Sequence, residues 1–105
     1  MLHPNRPLSD FYIACRENDI ETLKKIIQTC TLGELDRLES NGSTVLHVAC
    51  YRGHRDVVEL LLNRGVNRSI MNRFQCLPYD EAASEEIKNL FERIPNNNRY
   101  VADYI

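Results

Sequence analysis

Long apolar runs are missing from this 105-residue chain. The longest candidate, Val57 to Leu62, is interrupted by Glu59 and falls far short of the ~18 apolar residues that a membrane-spanning helix needs. The opening Met1-Leu2-His3-Pro4-Asn5-Arg6 has no apolar signal core, so neither membrane insertion nor export is expected. The cysteines, Cys15, Cys30, Cys50 and Cys76, are separated by 15, 20 and 26 positions. That spacing matches neither paired zinc knuckles nor a small disulfide framework. Cys15 and Cys50 lie in apolar stretches, where a free thiol packs as a small hydrophobe. Four reduced, mostly structural thiols imply an intracellular, reducing setting, cytoplasmic or nuclear. The glycines, Gly33, Gly42, Gly53 and Gly65, are scattered, which excludes a phosphate-cradling loop.

Catalytic constellations are missing too. No cysteine stands on an activated turn beside a histidine and an orienting acid. His47 and His54, with Cys50 one helical turn from His47, are the local metal candidates, but zinc needs four converging ligands. The pair Glu85-Glu86 opens a helix and suits its dipole there. The expectation is a non-enzyme with no cofactor, no metal and no small-molecule substrate.

What is present is the composition of one folded domain, with 43% hydrophobic and 27% charged residues. The net charge of −2 conceals an uneven distribution. Residues 52–73 hold Arg52, Arg55, Arg64, Arg68 and Arg73 against Asp56 and Glu59, about +3 between two acidic flanks. Such a middle favours an acidic partner.

The chain also repeats. At an offset of 35, Ala14-Cys15 falls on Ala49-Cys50, Asn18 on Gly53, Leu23 on Val58 and Ile26-Ile27 on Leu61-Leu62. At an offset of 33 the other way, Leu77 to Ala82 falls under Thr44 to Ala49. In the middle copy Leu46, Ala49 and Cys50 mark one helical face, with Thr44 as its cap and Gly53 as its stop. Val57, Val58, Leu60, Leu61 and Leu62 make a second helix too apolar for one stripe, so it must be buried between neighbours. Units this small gain stability only by stacking.

The run Asn41-Gly42-Ser43-Thr44-Val45-Leu46-His47-Val48-Ala49-Cys50-Tyr51-Arg52-Gly53-His54, continued by Leu60-Leu61-Leu62-Asn63-Arg64-Gly65-Val66, closely resembles the ankyrin repeat, G-x-T-P-L-H-x-A-A-x-x-G-H…V-x-x-L-L-x-x-G-A. The resemblance implies an all-α solenoid of helix-turn-helix units joined by β-turn or hairpin loops. Its repeats would be about 8–38, 39–71 and 72–92, within a domain over 1–94. It also implies that His47 bonds near the turn with Thr44 as its companion, and that His54 belongs to the interhelical loop.

The outer copies depart from the pattern. In the third, Gln75 replaces the usual glycine and Leu77 the threonine, which predicts a distorted turn. This copy is about four residues short and reads either as one longer helix or as two with a minimal turn, forming a polar cap. In the first, Thr31-Leu32-Gly33-Glu34 fits a capping box opening an extra helix through Leu38. Residues 95–105 have no repeat character. Tyr100, Val101, Tyr104 and Ile105 fit three fates: folding back, binding a partner, or leading as a linker into a further domain.

Ankyrin-like stacks bind proteins through a concave side made of turn tips and the exposed faces of first helices. Carried over by position, the turn tips supply Ser40, Asn41, Ser43, Arg73, Phe74 and Cys76, and the first helices supply Arg16, Glu17, Tyr51 and Arg52. Tyr51, Arg52, Arg73 and Phe74 are the expected anchors, since aromatic and arginine side chains dominate interfaces. The expected partner is another protein presenting an acidic or mixed segment. Two rivals stand beside this reading. One is self-association into a homo-oligomer through the stack end and the tail. The other is nucleic-acid binding by the arginine-rich middle with Tyr51 and Phe74, disfavoured by the mildly acidic whole and the lack of a dense basic stripe.

Overall fold

The structure is a computed structural model that describes residues 7–95. The residues singled out in the tail lie beyond that range. Among the described residues all regular structure is helical. The first repeat contains α1 (Asp10–Arg16), α2 (Ile20–Ile26) and the short α3 (Leu32–Leu35). The second contains α4 (Val45–Arg52) and α5 (Arg55–Arg64). The third pairs a 3-10 helix (Pro78–Glu81) with α6 (Glu85–Arg93). The first helical segments, α1, α4 and the 3-10 turn, pack side by side as one layer, and α2, α5 and α6 pack as a second behind it.

Most α-helix starts are capped by a short polar side chain, α5 after His54 being the exception. Ser9, Asp19, Thr44 and Ser84 accept from the backbone N–H groups of Tyr12, Thr22, His47 and Ile87, satisfying donors that a helix leaves open. The first two apolar helices end alike. Gly53 takes φ +73 and His54 N–H returns to the Ala49 carbonyl at 3.0 Å. Thirty-five residues earlier, Asn18 takes φ +59 and Asp19 N–H returns to the Ala14 carbonyl at 2.9 Å. Asparagine is among the few side chains that tolerate this left-handed turn.

The core joins both layers. Leu46, Ala49 and Cys50 of α4 are buried, with Val57, Val58, Leu61 and Leu62 of α5, and Leu60 half-covered. Leu23, Leu35, Ile87 and Leu90 close the sandwich from the outer repeats. Each such side chain contributes about 1.5–3 kcal/mol by leaving water. Burial pushes the Cys15 and Cys50 thiols up to about 12, so both stay protonated packing groups.

Three expectations are refined. The Thr31–Glu34 capping box is present, with Glu34 N–H donating to Thr31 Oγ1 at 3.1 Å and Thr31 N–H to Glu34 Oε1 at 2.8 Å. Its helix ends at Leu35 rather than Leu38. Beyond it the chain must turn inward, because Asp36 accepts from Asn67 N–H at 2.8 Å and buried Glu39 accepts from Ser9 N–H and Oγ–H at 3.0 and 2.7 Å. The third copy resolves into two helices with a minimal turn, whose Ala83 N–H donates to the Cys50 carbonyl at 3.0 Å. Its β-turn is not distorted. Gln75 takes φ +65, where Gly42 takes +82. The bonds Asn72 N–H to Cys76 O and Gln75 N–H to Asn72 O repeat those of Glu39 to Ser43 and Gly42 to Glu39.

Candidate functional site

The first helices and turn tips converge on one open face. Buried His47 fixes its geometry. Its Nε2 lies 2.8 Å from the Cys76 carbonyl, which can only accept, so Nε2 carries the proton. The Thr44 hydroxyl, 2.7 Å from Nδ1, is then the donor there and also accepts from His47 N–H. Burial holds the imidazole below its usual pKa, against an opposing pull from the Cys76 carbonyl and from Glu81 and Asp80. This neutral ring ties α4 to the next turn. Tyr12, the counterpart of His47 at the offset of 35, ties α1 to its own next turn by accepting at its hydroxyl from Asn41 Nδ2 at 3.0 Å. His54 Nε2–H donates to the Arg16 carbonyl at 2.9 Å.

The expected contact residues divide into two groups. Asn41, Ser43 and Cys76 hold the turns. Asn41 Oδ1 accepts from Ser43 N–H, and Cys76 N–H donates to Asn72 Oδ1. Ser40 is half-buried. Arg16 and Glu17 satisfy each other at 2.9 Å. Arg73 leans back over Gly42, donates to the Asn41 carbonyl at 3.3 Å and sets its guanidinium 5.2 Å from the Phe74 ring centre.

Tyr51 and Arg52 differ from all of these. They stand at the offset of 35 from Arg16 and Glu17, yet both are exposed and neither side chain has a polar or ion-pair partner among the described residues. Tyr51 is 69% exposed and Phe74 68%, so both rings stand largely open to solvent. Between them opens a groove of about 300 Å³ whose lining includes Tyr12, Asn41, Val48, Tyr51, Phe74 and Glu81. Reading the sequence missed Glu81 and Tyr12 here. The available signal was register: Glu81 falls under Val48 and Tyr12 under His47, each a polar side chain exchanged for another kind at a face position.

Much of the arginine-rich middle is engaged within the stack. Arg64 donates to the Ile27 and Cys30 carbonyls at 3.1 and 2.8 Å, joining the second repeat to the first. Arg68 donates to the Phe91 and Ile94 carbonyls at 2.9 and 2.6 Å, closing the end of α6. Arg55 meets Glu59 at 3.0 Å and Glu86 at 3.2 Å. Three of the five arginines thus stitch repeats together. No group of three or more metal-ligating side chains converges among the described residues, and no described helix is long and apolar enough to cross a membrane.

The family model for ankyrin repeats in three copies matches residues 11–99. This chain belongs to the ankyrin-repeat family. Ankyrin repeats are protein–protein interaction modules. The tRNA endonuclease ANKZF1 of Bos taurus is 34% identical over 97 residues, covering 87% of this chain and 13% of that protein. Acyl-CoA-binding domain-containing protein 6 of Bos taurus is 40% identical over 53 residues, half of this chain and 18% of the relative. The probable 26S proteasome regulatory subunit p28 of Saccharomyces cerevisiae is 28% identical over 82 residues, 78% of this chain and 36% of the relative. The chain therefore spans well under half the length of these relatives, and their names describe the whole proteins. The ankyrin domain of Bcl-3 superposes with a TM-score of 0.77 at 21% identity, over 88% of this chain and 40% of that one, a likeness of fold.

Proposed function

We propose that this ankyrin stack is a protein-binding module whose concave face, centred on Tyr51 and Arg52 with Arg73 and Phe74 at its edge, holds a segment of another protein. One observation carries the reading. At equivalent positions of α1 and α4, Arg16 and Glu17 close on each other, whereas Tyr51 and Arg52 face solvent with no partner among the described residues. An aromatic ring and a guanidinium kept out of internal contacts are suited to desolvated anchoring. Phe74 extends the apolar area, and the Arg73 guanidinium beside it can meet a carboxylate. No enzymatic role is assigned, and the stitching by Arg55, Arg64 and Arg68 weighs against nucleic acid as the partner, since counterion release needs accessible cations.

The test is differential capture. The immobilised domain and a folded variant carrying Tyr51→Ala, Arg52→Glu and Phe74→Ala are exposed to the same lysate of the source cells. A protein retained by the first and lost by the second supports the concave site. Equal retention by both would move the site to another face.

A further inference from the structure

We propose that the anchor taken into the concave groove is a cationic side chain of the partner, lysine or arginine, with its apolar stem between Tyr51 and Phe74 and its charge at Glu81. The proposal rests on the concave-face reading and adds to it the chemistry of the residue that enters. Tyr51 and Phe74 stand exposed on one groove, with Val48 on its lining and Glu81 among its polar groups. Aromatic walls ending in a carboxylate are complementary to a long side chain that is apolar along its stem and charged at its tip.

Glu81 is the telling group. It is half-buried, and its Oε2 accepts from Asn72 Nδ2 at 2.9 Å. It forms no ion pair among the described residues. Glu39, the other inward-turned glutamate near this face, instead accepts two bonds from Ser9 and lies 3.8 Å from the Arg37 guanidinium. The groups nearest Glu81 do not offset its charge. Burial holds the His47 imidazole below its usual pKa against the pull of the Cys76 carbonyl and the nearby carboxylates, the Cys50 thiol stays protonated, and Asp80 adds a second carboxylate. One oxygen of Asp80 is engaged by Leu77 N–H at 2.9 Å. A half-covered carboxylate without a counter-cation among the described residues, on the lining of the groove that also carries Tyr51 and Phe74, calls for a cation from outside.

The arginines nearby do not contradict this. The Arg73 guanidinium is held against Phe74 and the Asn41 carbonyl, and Arg52 is exposed on the last turn of α4. Both suit acidic residues flanking the anchor. The partner segment is therefore of mixed sign, with a basic residue centred between acidic ones.

The experiment is selection of a displayed random peptide library on the folded domain. Selected peptides are then measured by fluorescence polarisation against the native domain, Glu81→Gln, Tyr51→Ala and Phe74→Ala, each first checked for native helicity. The expected result is a shared Lys or Arg whose replacement by norleucine weakens binding about tenfold or more, with Glu81→Gln producing a similar loss. Glutamine retains an acceptor for Asn72, so that loss would not stem from unfolding. Peptides that depend on Tyr51 and Phe74 but lack a shared basic residue, or are indifferent to Glu81→Gln, would overturn the cationic anchor and leave the concave face standing. Peptides indifferent to Tyr51→Ala and Phe74→Ala, or a selection yielding no binder at all, would count against both.

Discussion

The second and third repeats solve the same geometric problem with different residues. In the second, Gly42 makes the tight turn, the Thr44 hydroxyl caps α4, and a full α-helix follows. In the third, Gln75 enters the same left-handed region, the Asp80 carboxylate reaches back to Leu77 N–H at 2.9 Å, and a 3-10 turn replaces the helix. The two turns nevertheless share the same backbone hydrogen bonds. The outcome depends on which backbone donors and acceptors are met, and several side-chain sets can meet them. The interior repeat needs its consensus residues because it has neighbours on both sides. The end repeat has one neighbour, and accepts strain in exchange for a polar outer face of Glu85, Glu86, Asn89 and Glu92.

The comparison can be broken most severely in the core. Leu61→Ala empties a fully buried site in the interior repeat and is expected to cost about 3–5 kcal/mol. Ile26→Ala, its half-buried counterpart in the first repeat, is expected to cost under ~2 kcal/mol. Urea unfolding of both variants checks the ratio, and similar losses would show the end repeat to be packed as tightly as the middle one.

Exchanging the turn residues comes next. A Cβ at Gly42 would lie 2.7 Å from Arg73 Cβ and Cγ at a φ of +82, so Gly42→Ala is expected to cost roughly 2–4 kcal/mol in the same assay. His47→Gln should cost about 1–3 kcal/mol by disturbing the bond to the Cys76 carbonyl. Amide exchange should then quicken in the third repeat before the first.

His47 also sharpens the comparison through pH. Burial lowers its folded-state pKa, so on acidification the unfolded chain takes up this proton first. Its contribution is fully present above the unfolded value near ~6.5 and declines as pH falls through the folded value. Melting temperature should drop across that window in the native chain and stay flatter in His47→Gln. Asp19 and Glu34, whose carboxyls are held low by bonds from Thr22 and Thr31, act only in more acidic solution. The smallest effect has the opposite sign. Gln75→Gly relieves a left-handed glutamine and is expected to stabilise by about 0.5–1 kcal/mol, an increase readable by calorimetry.

Much of this architecture was legible in one dimension. The offsets of 35 and 33 carried the repeat, because stacked units need the same apolar positions at the same spacing. The stop at Gly53 and the caps at Thr44 and Thr31 followed from local chemistry, and the exposed place of Tyr51 and Arg52 from the family resemblance. The turn at Gln75 was misread, since the usual glycine marks a left-handed position but its absence does not abolish one. The end of α3 was overextended, because Asp36 and Glu39 are drawn to Asn67 and Ser9, about thirty residues away along the chain.

The sharpest gap concerns charge. Five arginines against two acids in 22 residues read as a middle of about +3 that favours an acidic partner, yet Arg64 and Arg68 turn inward to carbonyls and Arg55 to carboxylates of its own and the next helix. Composition counts charges and cannot say which are already partnered. Period, caps and apolar spacing are local properties written in neighbouring residues, and they were enough to specify a stack of three similar helical units, which the resemblance of the middle copy made an ankyrin stack. Which polar groups stitch the repeats together, and which are left facing the groove, depends on distances between residues far apart in sequence. Only the folded stack sets Glu81 on the same groove as Tyr51 and Phe74.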